Sequence, residues 1–282
     1  LANYKTSAFL FGPRMTGKSV YLNKLESNLY LDLLDTEIEL ELKKNPRKFW
    51  EQISALKKNS TIIIDEVQRV PALLDYVQMG IERYNQRFLM SGSSARKLKR
   101  GGANLLGGRA LDLKLHPLTF EEINKNFSMT NALSYGTLPK ITNLVISKQL
   151  EEARLMLKSY VTTYIKEEIQ AEAIVRSIGS FQRFLDIAGQ SNSQMIEYGN
   201  ISRESQVPSS TVKEFYTILE DTLLGQFIWP FDRSERKKSR PKFYFFDCGV
   251  VRALNNRLND PPTPSELGFL FETWFVNELT RI

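Results

Sequence analysis

Residues Phe11–Ser19 read FGPRMTGKS, and this stretch decides the fold of the first half of the chain. From Gly12 to Ser19 it fits the pattern G-x-x-x-x-G-K-[ST]. The two glycines let the loop curl so that backbone N–H groups point inward, where they and the N-terminus of the next helix hold phosphates. An apolar run at Ser7–Phe11 predicts a preceding strand, and Lys18–Glu26 has a helical pattern. The sequence therefore predicts a phosphate-binding loop between a strand and a helix.

The loop offers groups for ATP and Mg²⁺. Lys18 is expected to bridge the β- and γ-phosphates, and the Ser19 hydroxyl to bind Mg²⁺. For Arg14, pairing with a nearby acidic residue is an alternative that stays open. The chain has no Asn-Lys-x-Asp motif for reading guanine, so ATP is favoured over GTP. The predicted nucleotide-binding residues are Gly12, Pro13, Arg14, Met15, Thr16, Gly17, Lys18 and Ser19.

The second informative stretch is acidic: TIIIDE ends at Asp65 and Glu66. Asp65 leaves the end of a β-branched run, where a buried carboxylate is costly unless it is paired or close to a metal ion. We expect its partner to be the Mg²⁺ held by Ser19. Glu66 is expected to orient and deprotonate the attacking water. The alternative is that the pair caps the following helix.

Short apolar runs alternate with helical patterns at Pro46–Lys57 and Val77–Tyr84. This alternation predicts an α/β fold with a parallel sheet covered on both faces. One strand lies in the chain between the loop strand and the Asp65 strand, and a further strand ends in a polar run. The pattern favours an AAA-like P-loop NTPase sheet of the additional-strand type. Besides the loop strand, the predicted strands are Leu29–Leu33, Thr61–Ile64, Arg87–Met90 and Leu111–Leu115.

The second half of the chain has a different sequence pattern, with longer helical segments and one predicted hairpin. Helical patterns cover Ser147–Gly189, and Ile201–Leu219 is typical of a helix, a tight turn and a helix. Gly225–Trp229 and Lys242–Phe246 predict a hairpin, so a winged-helix domain is expected after a helical lid. The predicted boundaries are 1–145 for the ATPase core, 146–190 for the lid or linker, 191–262 for the winged helix and 263–282 for the start of a truncated domain.

Composition narrows the function classes. The 282 residues carry a net charge of +6, which permits a phosphate-rich partner without requiring one. The one cysteine, Cys248, allows no disulfide within the chain and is interpreted as a core residue, while the one histidine, His116, excludes a His-rich metal site. No apolar run approaches the roughly 20 residues needed to span a membrane, and no signal peptide is visible. A cytoplasmic location and a longer natural chain are expected.

Several strings resemble uncharacterised bacterial and archaeal AAA-like ATPases with a C-terminal domain of unknown function. They are FGPRMTGKS, IIIDEVQRVP, FLMSGSSARKL, GGRALDLKLHPLTFEE and YGTLPK. In that family the C-terminal domain begins with a winged helix, which TVKEFYTILEDTLL and RPKFYFFDCGVVRAL resemble. ELGFLFETWFVNEL resembles the opening of a nuclease-like domain. We expect a helix there with Phe271, Phe275 and Leu279 in the core, and with Glu272 at a cap or facing solvent.

Two further residues are candidates for the reaction. In AAA-type ATPases a polar residue at the end of such a strand touches the γ-phosphate or the attacking water, which favours Ser91 first and Ser93 second. The alternative is that both belong to a turn. Arg109, after flexible glycines, is expected to stabilise transition-state charge beside the γ-phosphate, either of its own subunit or, in a homo-oligomer, of a neighbouring subunit. A solvated loop arginine is the alternative.

The target of the second half is left as two hypotheses. Double-stranded DNA is favoured by basic residues in the predicted wing and by a second basic loop. A protein partner is favoured by the candidate recognition helix, Ser209–Leu219, whose one base, Lys213, is offset by Glu214. The wing residues are Arg233, Arg236, Lys237, Lys238 and Arg240, and the second basic loop holds Arg96, Lys97, Lys99 and Arg100.

The DNA hypothesis makes a measurable prediction for the wing. Replacing Arg236, Lys237 and Lys238 with alanine should flatten the slope of log affinity against log salt by roughly 0.9 for each lysine or arginine that touches a phosphate in the parent protein. The check is duplex binding at several salt concentrations for parent and variant, with ATP binding unchanged as the control. Identical curves, or no binding by the parent at low salt, would exclude this wing as a DNA-binding element.

Overall fold

A computed structural model describes residues 4–93, 98, 106–165, 178–231 and 240–281. The chain divides into two compact units, residues 1–115 and 116–282. The division lies between Leu115 and His116, and the predicted domain boundaries at 145, 190 and 262 stay predictions. Within the described ranges, no helix is both long and apolar enough to cross a membrane.

The first unit is built on a parallel sheet of five strands in the order β2-β3-β4-β1-β5. Every neighbouring pair in this sheet is parallel. Strand β4 therefore lies between β1, which precedes the phosphate loop, and β3, which ends at Asp65. This order confirms the predicted additional-strand sheet. The strands are β1 (Ser7–Phe11), β2 (Leu29–Asp32), β3 (Thr61–Asp65), β4 (Arg87–Gly92) and β5 (Ala110–Lys114).

Both faces of the sheet are covered, which explains why its central strands are almost continuously apolar. On one face, Leu10, Ile63 and Leu89 form a buried cluster with Leu22 of the first helix. On the other face, Phe88 packs against Phe49, with ring centroids 6.5 Å apart. The helices of this unit are α1 (Lys18–Leu22), α2 (Thr36–Lys44), α3 (Arg47–Ser54) and α4 (Leu73–Tyr84).

The second unit is mainly helical and contains a two-stranded antiparallel sheet. The predicted helix, turn and helix are present as α10 and α11, and the predicted hairpin is present as β6 and β7. Cys248 is buried, as expected. The helices are α5 (Phe120–Ile123), α6 (Met129–Tyr135), α7 (Pro139–Ile146), α8 (Leu150–Ser159), α9 (Ile178–Gln190), α10 (Tyr198–Ser205), α11 (Ser209–Asp221), α12 (Cys248–Leu254) and α13 (Pro264–Arg281); the strands are β6 (Gly225–Ile228) and β7 (Lys242–Phe245).

Aromatic rings form much of the core of the second unit. Tyr216 of α11 contacts Phe184 of α9 at 4.9 Å and Phe243 of β7 at 4.8 Å between ring centroids. Both contacts are edge-to-face, the arrangement that aromatic quadrupoles favour. The hairpin is therefore packed on α11, whose Tyr216 also contacts α9.

Helix α13 contradicts the expectation for its core side chains. Phe271, Phe275 and Leu279 are exposed by 47%, 47% and 60%. The buried positions of this helix include Thr273 and Asn277, which are polar. The reason is that buried backbone and amide groups packed against this helix need hydrogen-bond partners. Asn277 Nδ2, for example, donates to the Phe245 carbonyl at 2.9 Å. Hydrogen bonding thus decides which face of α13 points inward.

Glu272 neither caps the helix nor faces solvent freely. Its Oε1 accepts hydrogen bonds from Lys242 Nζ and from the Tyr244 hydroxyl, both at 2.6 Å. These contacts tie α13 to strand β7. Burial, followed by the bond to this carboxylate, raises the pKa of the Tyr244 hydroxyl, which therefore stays protonated and donates.

Because α13 buries polar residues and exposes apolar ones, two substitutions on this helix should differ in their effect on stability. Asn277→Ala should destabilise the protein by about 1–3 kcal/mol, because it leaves the Phe245 carbonyl buried without a donor. Leu279→Ala should change stability by only about 0.5 kcal/mol, because the side chain is exposed. Calorimetric unfolding of both variants checks this. A larger loss for Leu279→Ala would show that the apolar face of α13 is packed.

Candidate active site of the first unit

The segment Gly12–Ser19 connects β1 to α1, and both of its glycines are required by the geometry. Gly17 has φ of 95°, a left-handed conformation that side chains with a Cβ disfavour. At Gly12 an added Cβ would lie 2.3 Å from the carbonyl oxygen of Leu115. The backbone curls tightly here because neither position carries a side chain.

Lys18 lies inside this curl and is only 6% exposed. Its Nζ donates to the carbonyl oxygens of Gly12 at 2.7 Å and Pro13 at 3.0 Å. The Thr16 hydroxyl donates to the same Pro13 carbonyl at 2.9 Å. Ser19 follows in the first turn of α1 and is half-buried. A positive charge and a hydroxyl therefore lie next to each other in a glycine-containing loop, a donor set that suits phosphate and its magnesium ion.

Asp65 ends β3 and is 1% exposed, so its carboxylate needs donors. One is the hydroxyl of Tyr30 on β2, which lies 3.0 Å from Oδ2. Burial and the nearby Asp65 carboxylate raise the pKa of the Tyr30 hydroxyl, so it keeps its proton and donates. The other donor is the Ser91 hydroxyl, which bonds to Oδ1.

Ser91 links the two acidic residues. Its Oγ donates to Asp65 and accepts the backbone N–H of Glu66 at 3.0 Å. A serine hydroxyl has one proton, and here that proton is engaged by Asp65. The hydroxyl of Ser93 is also buried, and it has no hydrogen-bond partner within the described part of the chain. Of the two serines, Ser93 is therefore the one with a donor left for a phosphate or a water.

Glu66 leaves the strand with φ of 60° and ψ of 46°, an uncommon conformation for a residue other than glycine. Its Oε2 accepts a hydrogen bond from Gln68 Nε2. The turn Val67–Arg69 that carries Gln68 is held to α2 by an ion pair between Arg69 and Glu39, with 2.8 Å between the charged atoms. Strain at Glu66 is of the kind that clusters at functional sites.

The register of the sheet brings these groups to one edge. Leu10 on β1 pairs with Ser91 on β4, and Ile64 on β3 pairs with Met90. Because the strands are parallel, their carboxyl ends lie side by side, and ligands of open α/β sheets bind at this edge. Tyr30 and Gln68 were missed by the sequence reasoning. A strand tyrosine carries no signal of its own, whereas the glutamine next to the acidic pair offered a weak one.

Arg109 does not lie at this edge. It immediately precedes β5, whose first residue, Ala110, pairs with Ser7 at the start of β1. Gly12 follows the other end of β1, roughly 15 Å away at about 3.3 Å per residue. The Arg109 guanidinium pairs instead with Glu82 of α4 at 2.8 Å. The structure therefore does not bring Arg109 to the phosphate loop of its own subunit.

Most of the predicted basic residues lie outside the described residues. These are Arg96, Lys97, Lys99, Arg100, Arg233, Arg236, Lys237 and Lys238. Arg240 is described, and its guanidinium forms an ion pair with Glu197.

The comparisons with known proteins agree with the geometry of the first unit. Residues 4–124 match the family model of an AAA domain. Residues 126–261 match the model of a domain of unknown function, DUF8612. The sheet, the Gly12–Ser19 loop and the strand ends that bear Asp65 and Ser91 all lie within the residues that match this model.

The individual proteins that this chain resembles have low sequence identity to it. An uncharacterized protein of Haemophilus influenzae is 24% identical over 288 residues, covering 89% of this chain and 70% of its own length. Among solved structures, the Aeropyrum pernix ORC1 protein in complex with DNA has a TM-score of 0.40 at 12% identity, covering 93% of this chain and 88% of that one. The replication initiator DnaA, bound to AMPPCP and single-stranded DNA, has a TM-score of 0.36 at 14% identity, covering 78% and 83%. Scores this low assign no function.

The position of Arg109 gives a prediction for the isolated subunit. Arg109→Ala should leave ATP affinity unchanged, because the guanidinium lies at the opposite edge of the sheet. Glu82→Gln is the matched control, since it breaks the same exposed ion pair, worth about 0–1 kcal/mol, and keeps the arginine.

Any loss of turnover in Arg109→Ala, but not in Glu82→Gln, would have to arise in a neighbouring subunit. In that case the parental rate per subunit should rise with protein concentration, and the rate of Arg109→Ala should not. Weakened ATP binding by dilute Arg109→Ala would contradict the placement.

Proposed function

We propose that the AAA domain binds ATP with Mg²⁺ and hydrolyses it to ADP and phosphate. The observation that carries the proposal is the Ser91 hydroxyl, which joins the Asp65 carboxylate to the Glu66 backbone at the sheet edge that also bears Gly12–Ser19. A purely structural pair of carboxylates would not need a phosphate-binding loop beside it. A helix cap, the alternative for Asp65 and Glu66, is not supported, because neither side chain caps the turn that follows.

Each group has a distinct task in this proposal. The N–H groups of the loop and Lys18 would hold the phosphates, as in other P-loop proteins. Ser19 and Asp65 would hold Mg²⁺, which supplies charge neutralisation at the transferred phosphoryl group. Glu66 would orient the attacking water and accept its proton. Ser93, whose hydroxyl has no hydrogen-bond partner among the residues that the structure describes, is the better candidate for donating to the γ-phosphate.

For the second unit we propose a winged helix that docks a protein partner, with duplex DNA as the second candidate. Arg240 of the predicted wing and Lys213 of the candidate recognition helix both contact other side chains of the unit. Arg240 is paired with Glu197, and the Lys213 ammonium lies 5.3 Å from the centre of the Tyr198 ring. Trp229, after the hairpin strand β6, is 61% exposed. An exposed aromatic side chain suits a protein interface, where tryptophan is enriched. The salt titration given for the wing separates the two candidates.

Two substitutions test the ATP site. Lys18→Ala should abolish nucleotide binding, because the loop loses its buried ammonium. Glu66→Gln should bind ATP like the parent and reduce turnover by roughly 10²–10⁴-fold, the range for losing a general base. Equilibrium binding of ATP with Mg²⁺ and steady-state phosphate release measure both effects.

Exposed residues of the same types provide the controls. Lys24→Ala and Glu51→Gln remove a charge from the surface of the same unit and should leave binding and turnover unchanged. Turnover by Glu66→Gln at the parental rate would remove Glu66 from the mechanism. Retained binding in Lys18→Ala would remove the loop from it.

A further inference from the structure

Gln68 contacts the proposed general base from a buried position. The side chain is 8% exposed, and its Nε2 donates to Glu66 Oε2. A carboxylate only accepts hydrogen bonds, so the amide nitrogen is the end that faces Glu66. Hydrogen bonds to charged groups are stronger than neutral ones. Gln68 thus restrains one oxygen of a side chain whose backbone Ser91 already holds.

The other end of the Gln68 amide faces the strand next to the phosphate loop. Its Oε1 is buried and has no hydrogen-bond partner among the described residues. A Cβ added at Gly92 would lie 2.7 Å from this oxygen. Gly92 pairs with Phe11, the residue immediately before Gly12. The amide therefore lies between Glu66 and the strand pair that carries the loop, and the missing side chain at Gly92 leaves room for it.

An unpaired buried carbonyl costs about 1–3 kcal/mol, so this placement is unfavourable for folding alone. A glutamine selected only for packing would be replaced without loss by methionine of similar shape. What distinguishes Gln68 from other buried glutamines of this unit is the partner of its Nε2, which is the carboxylate of the proposed general base.

We infer that Gln68 is a positioning residue that holds the Glu66 carboxylate in the orientation needed to meet the attacking water. The inference rests on the proposed ATPase function and adds a residue to it. Gln68 acts through Glu66, so it should affect turnover and not the affinity for ATP. Misplacement of a reacting group by about 1 Å can cost on the order of 10²-fold in rate.

The chain provides a matched control in the same unit. Gln86 is 2% exposed, its Nε2 donates to the Ile53 carbonyl at 2.7 Å, and its Oε1 is likewise without a partner within the described ranges. An added Cβ at Gly80 would lie 2.8 Å from that oxygen, much as one at Gly92 would crowd the Gln68 amide. Gln86 precedes β4, however, at the edge of the sheet opposite to the loop. Gln86→Met therefore measures the cost of losing such a glutamine without touching Glu66.

The experiment is a double-mutant cycle with ATP and Mg²⁺. Gln68→Met should lower kcat by about 10–100-fold and leave the Kd of ATP unchanged. Because Gln68 acts through Glu66, the double variant Gln68→Met/Glu66→Gln should turn over at the rate of Glu66→Gln alone. Gln86→Met should keep the parental kcat, whatever its melting temperature. Gly92→Ala, which displaces the Gln68 amide, should lower kcat in the same non-additive way and provides the test if Gln68→Met does not fold.

The outcomes separate this inference from the function on which it rests. A parental kcat in Gln68→Met, an effect that adds to that of Glu66→Gln, or an equal loss in Gln86→Met overturns the positioning role and leaves the ATPase proposal intact. A parental rate in Glu66→Gln, or no turnover by the parent protein, overturns both.

Discussion

The burial of the Asp65 carboxylate is the constraint on which the first unit depends. At 1% exposure this group is stable only if donors reach it, and the donors come from the two strands that flank β3. Tyr30 reaches it from β2 and Ser91 from β4. Strand β4 must therefore lie beside β3, and β4 also pairs with β1, which carries the phosphate loop. The same strand order therefore satisfies the Asp65 carboxylate and assembles the candidate site.

The strand exit at Glu66 shows how the fold maintains an unfavourable backbone. A left-handed residue with a side chain costs roughly 1–2 kcal/mol. The Ser91 hydroxyl accepts its N–H, and the Arg69–Glu39 ion pair attaches the next turn to α2. The same contacts set the direction in which the Glu66 carboxylate leaves the sheet. Glu66 is thus a candidate catalytic residue with a strained backbone that neighbouring contacts hold in place, as expected where geometry serves a reaction.

In the second unit, buried hydrogen bonds rather than apolar burial decide how helix α13 is oriented. On α13 the apolar residues Phe271 and Phe275 stack on each other at the surface, 6.2 Å apart. Beside Leu270, the buried positions include polar side chains that bond to other buried polar groups, as in the bond of Asn192 Nδ2 to Thr273 Oγ1 at 2.7 Å. An unmade buried hydrogen bond costs about as much as one exposed aromatic side chain gains by burial. The exposed aromatic face is the part of this unit that a helical pattern alone assigns incorrectly.

The parallel sheet, the glycine-containing loop at Gly12–Ser19 and the strand that ends at Asp65 could be predicted from the sequence, because each depends on residues that are close together in the chain. Glycine at positions 12 and 17, the β-branched run before Asp65 and the alternation of strands and helices are local signals of backbone conformation. The partners of Asp65 and Glu66, the distance of Arg109 from the loop and the inward face of α13 were decided only by the tertiary structure. Each depends on which strands and helices become neighbours, and hydrogen bonds between residues far apart in the chain leave no periodic trace in the sequence.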